Sequence, residues 1–145
     1  MISNVYQLVA PRTFVVKFED ICMRDCVLVR PRYMAVCHAD QRYFQGMRPP
    51  EVMRKKLPMA LIHETMGEVV FDATGNFIPG AEVVLIPNIP GVQGEGIFEN
   101  YATGSGFRSS GADGFMRELV SLPSDRVVSC RGVAPEVSAI TEFVS

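Results

Sequence analysis

The feature that most constrains this chain's fold is punctuation: no apolar run goes far before a proline, a glycine or a charge interrupts it. Six segments have strand character: VYQLVA (5–10), TFVVKFE (13–19), CVLVRPRYMAV (26–36), HETMGEVVFDA (63–73), AEVVLIPN (81–88) and FMRELVSL (115–122). Breaks containing Pro and Gly separate them, as between the strands of a mainly β domain. Helical periodicity is scarce. The stretches 38–46 and 49–57 predict short helices, the second with Pro at its start and cations near its end. Pro135 and Glu136 open a third helix over 135–145. The segment 89–114 is rich in Gly and polar residues and too long for an ordinary connection, which predicts a functional or mobile loop. There is no internal repeat and no low-complexity tract.

A chain of 145 residues that is 48% hydrophobic and 21% charged is expected to form one domain with a real core. Its net charge of -2 creates no large field, which argues against duplex nucleic acid or an anionic membrane as the main partner. The apolar runs are too short to span a bilayer. The opening MISNVYQLVAPR lacks the basic start and apolar centre of a signal peptide, so a cytoplasmic location is expected. The four cysteines, at 22, 26, 37 and 130, show no CxxC pair and are expected to be reduced, with Cys22 and Cys26 as core thiols on one strand face.

The chain has two histidines, and both lie in unusual company. His38 follows Cys37 in VCHADQRYFQG (36–46), and His63 precedes Glu64 in LIHETMGEVV (61–70). Cys37, His63 and Glu64 offer thiolate, imidazole and carboxylate, a mixed donor set suited to a borderline-soft dication such as zinc. Asp40 adds a carboxylate of the kind that accepts the second N–H of a metal-bound imidazole. Spacing alone leaves two readings open: a buried thiol with a hydrogen-bonded histidine, or two ligands of one metal. Gly67 stands where HExxH needs its second histidine, so that protease motif is excluded. GVQGEG (91–96) comes nearest to a dinucleotide fingerprint, but it follows a proline in a loop with no βαβ unit around it. Arg108, Ser109 and Ser110 in GFRSSG, together with Arg42, are suited to hold a phosphate, or else form a solvated turn. Arg54, Lys55 and Lys56 read as a solvated helix end, while Tyr43 and Phe44 are expected to pack.

VCHAD (36–40), IHETMGEVV (62–70) and PGAEVVLIP (79–87), in that order and spacing, resemble the catalytic domain of the zinc-dependent medium-chain alcohol and polyol dehydrogenases. The resemblance implies a mainly β (α+β) domain over 1–145, a chaperonin-10-like (GroES-like) partly open barrel with a few short helices, lacking the Rossmann domain. It implies one catalytic zinc on Cys37 and His63, with Glu64 as a third or exchangeable ligand. Glu142, in TEFVS, falls where the polyol dehydrogenases place a further zinc-binding glutamate, and Asp40 falls where a carboxylate orients His63. CHADQRYFQG, KKLPMALIHETMGEVVFD and ENYATGSGFRSSGADGFM narrow the likeness to the branch that interconverts ribulose 5-phosphate and ribitol 5-phosphate for teichoic acids and capsules. That branch implies a sugar-phosphate substrate, hydride exchange with NADP(H) or NAD(H) bound mainly by a further domain, and a homo-oligomeric full-length protein.

Two departures shape these expectations. The loop near 89–112 has no cysteine, whereas many relatives bind a structural zinc there through four, so no structural zinc is expected. Relatives commonly carry Ser or Thr two residues after the zinc-binding cysteine to pass a proton. Here Ala39 takes that place, leaving His38, Glu64 or water for the task. The chain stops where the nucleotide-binding domain would soon begin, so a truncated or separate domain is expected, able to bind zinc but not to turn over alone. The competing expectations are a related zinc alcohol or sugar dehydrogenase with another substrate, and a metal-free barrel serving binding or assembly. Such a barrel has no reason to gather Cys37, His63 and Glu64 around one point.

Overall fold

The computed structural model describes residues 1–21, 23–92 and 102–141. β1 (Ile2–Ala10) and β2 (Thr13–Asp20) form an antiparallel hairpin closed by Pro11 and Arg12, and β4 (Met59–Ala60) lies along the other edge of β1. Ser3, Val5 and Gln7 turn inward with the period of two that a pleated strand imposes. A bulge between Leu8 and Ala10 then breaks the alternation, and Leu8 is buried as well.

The larger sheet has five strands in the order β10-β6-β5-β3-β9, comprising β3 (Val27–Ala35), β5 (Glu64–Asp72), β6 (Glu82–Leu85), β9 (Val120–Leu122) and β10 (Val127–Ser129). Its inner face is mostly β-branched: Val27, Val29, Val69, Val83, Leu85, Val120, Leu122 and Val127 form one buried cluster with Phe115, which lies outside its strands. Burying such side chains contributes about 1.5–3 kcal/mol each. A second cluster of Leu8, Tyr43, Met59, Leu61 and Ile62 lies under the hairpin, covered by α1 (His38–Phe44) and α2 (Pro50–Lys56). Among the described residues the three-stranded and five-stranded sheets do not close, so the β architecture is a partly open barrel as expected. α3 (Pro135–Ala139) packs on β3, β5 and β6. Among the described residues, no helix is long and apolar enough to cross a membrane.

One pairing places the site. β3 and β5 run antiparallel with Ala35 opposite Glu64, so the chain just past the end of β3 and the residue just before β5 are neighbours. Those positions are Cys37 and His63.

The structure differs from the sequence pattern in several places: AEVVLIPN is a strand only over Glu82–Leu85, and the third helix is assigned over Pro135–Ala139. FMRELVSL is not one strand: only Val120–Leu122 joins the sheet. Around Arg117 the chain bridges to β1 instead, with the Tyr6 N–H donating to the Met116 carbonyl and the Glu118 N–H to the Asn4 carbonyl, both at 3.0 Å, and the Arg117 side chain is buried there. Within the long segment 89–114, β8 (Gly106–Phe107) pairs with β7 (Asn88–Ile89) in a small ladder. Residues 93–101 and 142–145, which include GVQGEG beyond Val92 and the proposed ligand Glu142, lie outside the described residues, as does Cys22.

Candidate metal centre

Cys37 leaves β3 and caps α1. Its sulfur accepts the Asp40 N–H at 3.4 Å while Oδ2 of Asp40 accepts the Cys37 N–H at 3.2 Å, a capping box with a thiol in place of the usual hydroxyl. The same Oδ2 lies 3.1 Å from Sγ and accepts the thiol proton. Burial pushes the Cys37 thiol up to about 11; the Asp40 N–H opposes the rise and the Asp40 carboxylate adds to it.

Asp40, only 2% exposed, is tied on its other oxygen too. Oδ1 accepts the Ile62 N–H at 3.0 Å and the Ser109 hydroxyl at 2.8 Å. One carboxylate therefore holds the start of α1, the residue before His63 and the loop after β8. Ile62 itself has φ 70°, a left-handed conformation that costs a non-glycine residue about 1–2 kcal/mol. Its peptide is gripped at both ends, by Asp40 at the N–H and by the Phe115 N–H at the carbonyl, 2.7 Å away. Gly114 makes that approach feasible, since a Cβ there would collide with the carbonyl oxygens of Leu61 and Ile62.

His63 follows this strained residue, and its ring faces the edge of Phe107, with centroids 5.2 Å apart and planes at 66°. Glu64, the first residue of β5, places Oε1 3.8 Å from Nε2 of His63; the side chains are 12% exposed for His63 and 6% for Glu64. Ligand atoms of Cys37, Asp40 and His63 all lie within 4.8 Å of one another. Thiol, carboxylate and imidazole at such separations suit zinc, whose ligands stand about 2.0–2.3 Å from the ion in tetrahedral sites. The donor set therefore fits a metal once the Cys37 proton has left.

The other sequence-derived candidates fall in different places. Asp40, expected behind the metal, lies inside the cluster. His38 is exposed on the first turn of α1 and outside the cluster. Arg42 sits in the last turn of α1. The Arg108 side chain turns away: it donates to the Asp113 carbonyl at 3.1 Å and lies over the Phe115 ring. Burial lowers its pKa, and the charge of Arg117 adds to that. Ser110 offers its carbonyl to Lys56 Nζ at 2.6 Å, so Lys56 is a tether rather than a solvated end like Arg54 and Lys55. Tyr43 packs in the second core and Phe44 stacks on Phe14. Cys26 and Cys130 are buried cysteines.

Sequence reasoning missed a charged cluster beside the site. Asp113 accepts from Gln7 and from the Ala60 N–H, and it lies 3.6 Å from the guanidinium of Arg117, which also pairs with Glu19 at 2.6 Å. These partners are separated by up to 106 positions, and no local pattern announces them. The DG step at 113–114 was the available signal, an acid beside a residue that tolerates close backbone approach.

Residues 23–132 match the family model described as the alcohol dehydrogenase GroES-like domain. The chain is 54% identical over its whole length to a ribulose-5-phosphate reductase of Streptococcus pneumoniae, covering 43% of that protein. It is 48% identical to the ribulose-5-phosphate reductase of Bacillus spizizenii, again over its whole length and 43% of the relative. Among solved structures, TarJ of S. aureus in complex with NADPH superposes with a TM-score of 0.77 at 41% identity, over 99% of this chain and 38% of that one. The chain thus spans less than half the length of these relatives, and within that span it belongs to the alcohol dehydrogenase GroES-like domain family.

Proposed function

We propose that this chain is the metal-bearing part of a zinc-dependent dehydrogenase that interconverts ribulose 5-phosphate and ribitol 5-phosphate with NADPH or NADH. The observation that carries this reading is the convergence of Cys37, Asp40 and His63 within 4.8 Å, in a chain 54% identical throughout to a ribulose-5-phosphate reductase. Zinc would supply Lewis-acid polarisation of the substrate carbonyl, or acidify the hydroxyl in the reverse direction. Cys37 and His63 would hold it, with Glu64 and Glu142 as exchangeable donors.

The remaining work falls to the chain. Asp40 keeps Cys37 and the Ile62–His63 backbone in register through its four accepted bonds. Ala39 has no hydroxyl to pass a proton, and exposed His38 is outside the cluster. Glu64, buried next to His63, would take that proton, directly or through water. Arg42 and Ser110 remain the donors for the substrate phosphate, because Arg108 and Ser109 are committed to Asp113 and Asp40. The nicotinamide is bound mainly outside these residues, and the assembled protein is a homo-oligomer acting in the cytoplasm.

The test uses protein extended to the length of the relatives, assayed for zinc content and for NADPH-dependent reduction of ribulose 5-phosphate. Turnover that disappears, together with the zinc, in Cys37→Ser and His63→Ala is the expected result, with no turnover from the 145-residue chain alone. Zinc content unchanged in Cys37→Ser would sink the metal reading. Faster reduction of another ketose or ketose phosphate would move the substrate and leave the metal in place.

A further inference from the structure

Two of the three clustered side chains are touched by one short loop. Phe107, the last residue of β8, sets its ring edge against His63, and two positions later Ser109 donates its hydroxyl to Oδ1 of Asp40. Between them Arg108 turns to Asp113 instead, donating to its carbonyl. Among the described residues, neither Phe107 nor Ser109 belongs to a buried apolar cluster. Ser109 is 4% exposed and holds φ 60°. Ile62, the other donor to Oδ1, holds φ 70°. Two non-glycine residues in the left-handed region thus converge on a single carboxylate oxygen, each at a backbone cost of about 1–2 kcal/mol.

The loop is also braced from behind. Ser109 N–H bonds the Ala112 carbonyl, Ser110 N–H bonds Phe107, Arg108 N–H bonds Pro87, and Lys56 Nζ reaches the Ser110 carbonyl. A carboxylate held on Oδ1 by two donors has a fixed plane, which keeps Oδ2 aimed at Cys37, 3.1 Å from its sulfur.

We propose that the 106–112 loop is the clamp that sets the metal centre, with Ser109 as the positioning residue that locks the Asp40 carboxylate and Phe107 as the residue that fixes the plane of the His63 ring. This rests on the metal reading above. Losing an outer-shell hydrogen bond typically costs about 10–100-fold in metal affinity.

The test is zinc affinity by chelator competition, with the visible absorption of the cobalt(II)-substituted chain, for native protein, Ser109→Ala, Asp40→Asn and the double variant. Ser109→Ala is expected to weaken zinc by about 10–100-fold and alter the cobalt bands, with little added loss on top of Asp40→Asn, because the hydroxyl acts through that carboxylate. Phe107→Leu is expected to shift the cobalt bands with a smaller loss of affinity. Ser109→Gly removes the hydroxyl yet accepts φ 60° without strain, so it reports the same loss if the alanine variant fails to fold. Zinc affinity within about twofold of native in a folded Ser109 variant, or full additivity with Asp40→Asn, overturns the clamp and leaves the metal reading standing. A folded native chain that binds neither zinc nor cobalt overturns both.

Discussion

At the scale of single residues, the chemistry of the site is carried by groups whose strain and protonation can be measured separately. Ile62 is a β-branched residue at φ 70°, where glycine is the natural occupant. Truncation to Ala or to Gly removes the same buried side chain, but only Gly relieves the backbone. Ile62→Gly is therefore expected to be more stable than Ile62→Ala by about 1 kcal/mol in denaturant unfolding, the reverse of their usual order. Equal stabilities would mean that the conformation is not held in solution.

Cys37 gives a pH signature. Its thiol is raised to about 11, so the thiolate is only roughly one part in a thousand at pH 8. Zinc must displace that proton, and each unit of rising pH is expected to tighten binding about tenfold between about pH 7 and 9, where hydroxide begins to compete for the free ion. Folding strengthens the hold on the proton, so this group's contribution to stability is intact at neutral pH and is lost only as pH rises from 9.0 towards 11. A flat affinity profile over that range would remove Cys37 from the ligand set. Cys37 and His63 were legible in the sequence because their donor types are rare and the family pattern flanks them. The partners of Asp40 were not, because Ile62 and Ser109 lie 22 and 69 positions away.

At the scale of elements, the strands around β3 and β5 were legible because each carries a buried apolar stripe of its own, and their pairing at Ala35 and Glu64 turns two sequence segments into one site. The strip 113–117 was not. FMRELVSL has strand composition, yet it divides between two partners, bridging to β1 at Arg117 and pairing with β3 over Val120–Leu122, a split that no local periodicity encodes. Gly114 is the hinge of that strip. Its N–H bonds the Ala60 carbonyl at 2.8 Å, and the carbonyls of Leu61 and Ile62 occupy the space that a Cβ would need. Because the obstacle is backbone, it cannot swing aside as a flexible side chain would. Gly114→Ala is expected to destabilise the fold by about 1–3 kcal/mol, the usual cost of overpacking, and to weaken zinc by displacing the Ile62–His63 peptide. Urea unfolding and chelator competition on the same protein check both; unfolding close to native would show that the close approach is absent in solution.

At the scale of the whole molecule, the candidate metal lies on a seam. Cys37 extends from β3 of the five-stranded sheet, Asp40 belongs to α1 over the second core, and His63 stands between β4 of the small sheet and β5 of the large one. An ion held by Cys37 and His63 would cross-link the two halves in the folded state and nothing comparable in the unfolded chain. Free ligand at a hundred times its Kd stabilises a fold by about 2.7 kcal/mol. For a domain of this size, that corresponds to a rise in Tm of roughly 5–10 °C. Thermal unfolding with and without excess zinc should show this shift for the native chain. Cys37→Ser should lose it, while its metal-free Tm stays close to that of the native metal-free protein, because a hydroxyl can replace the thiol in the capping box. An equal zinc-induced shift in both proteins would place the ion away from the seam, on surface groups that join no two sheets.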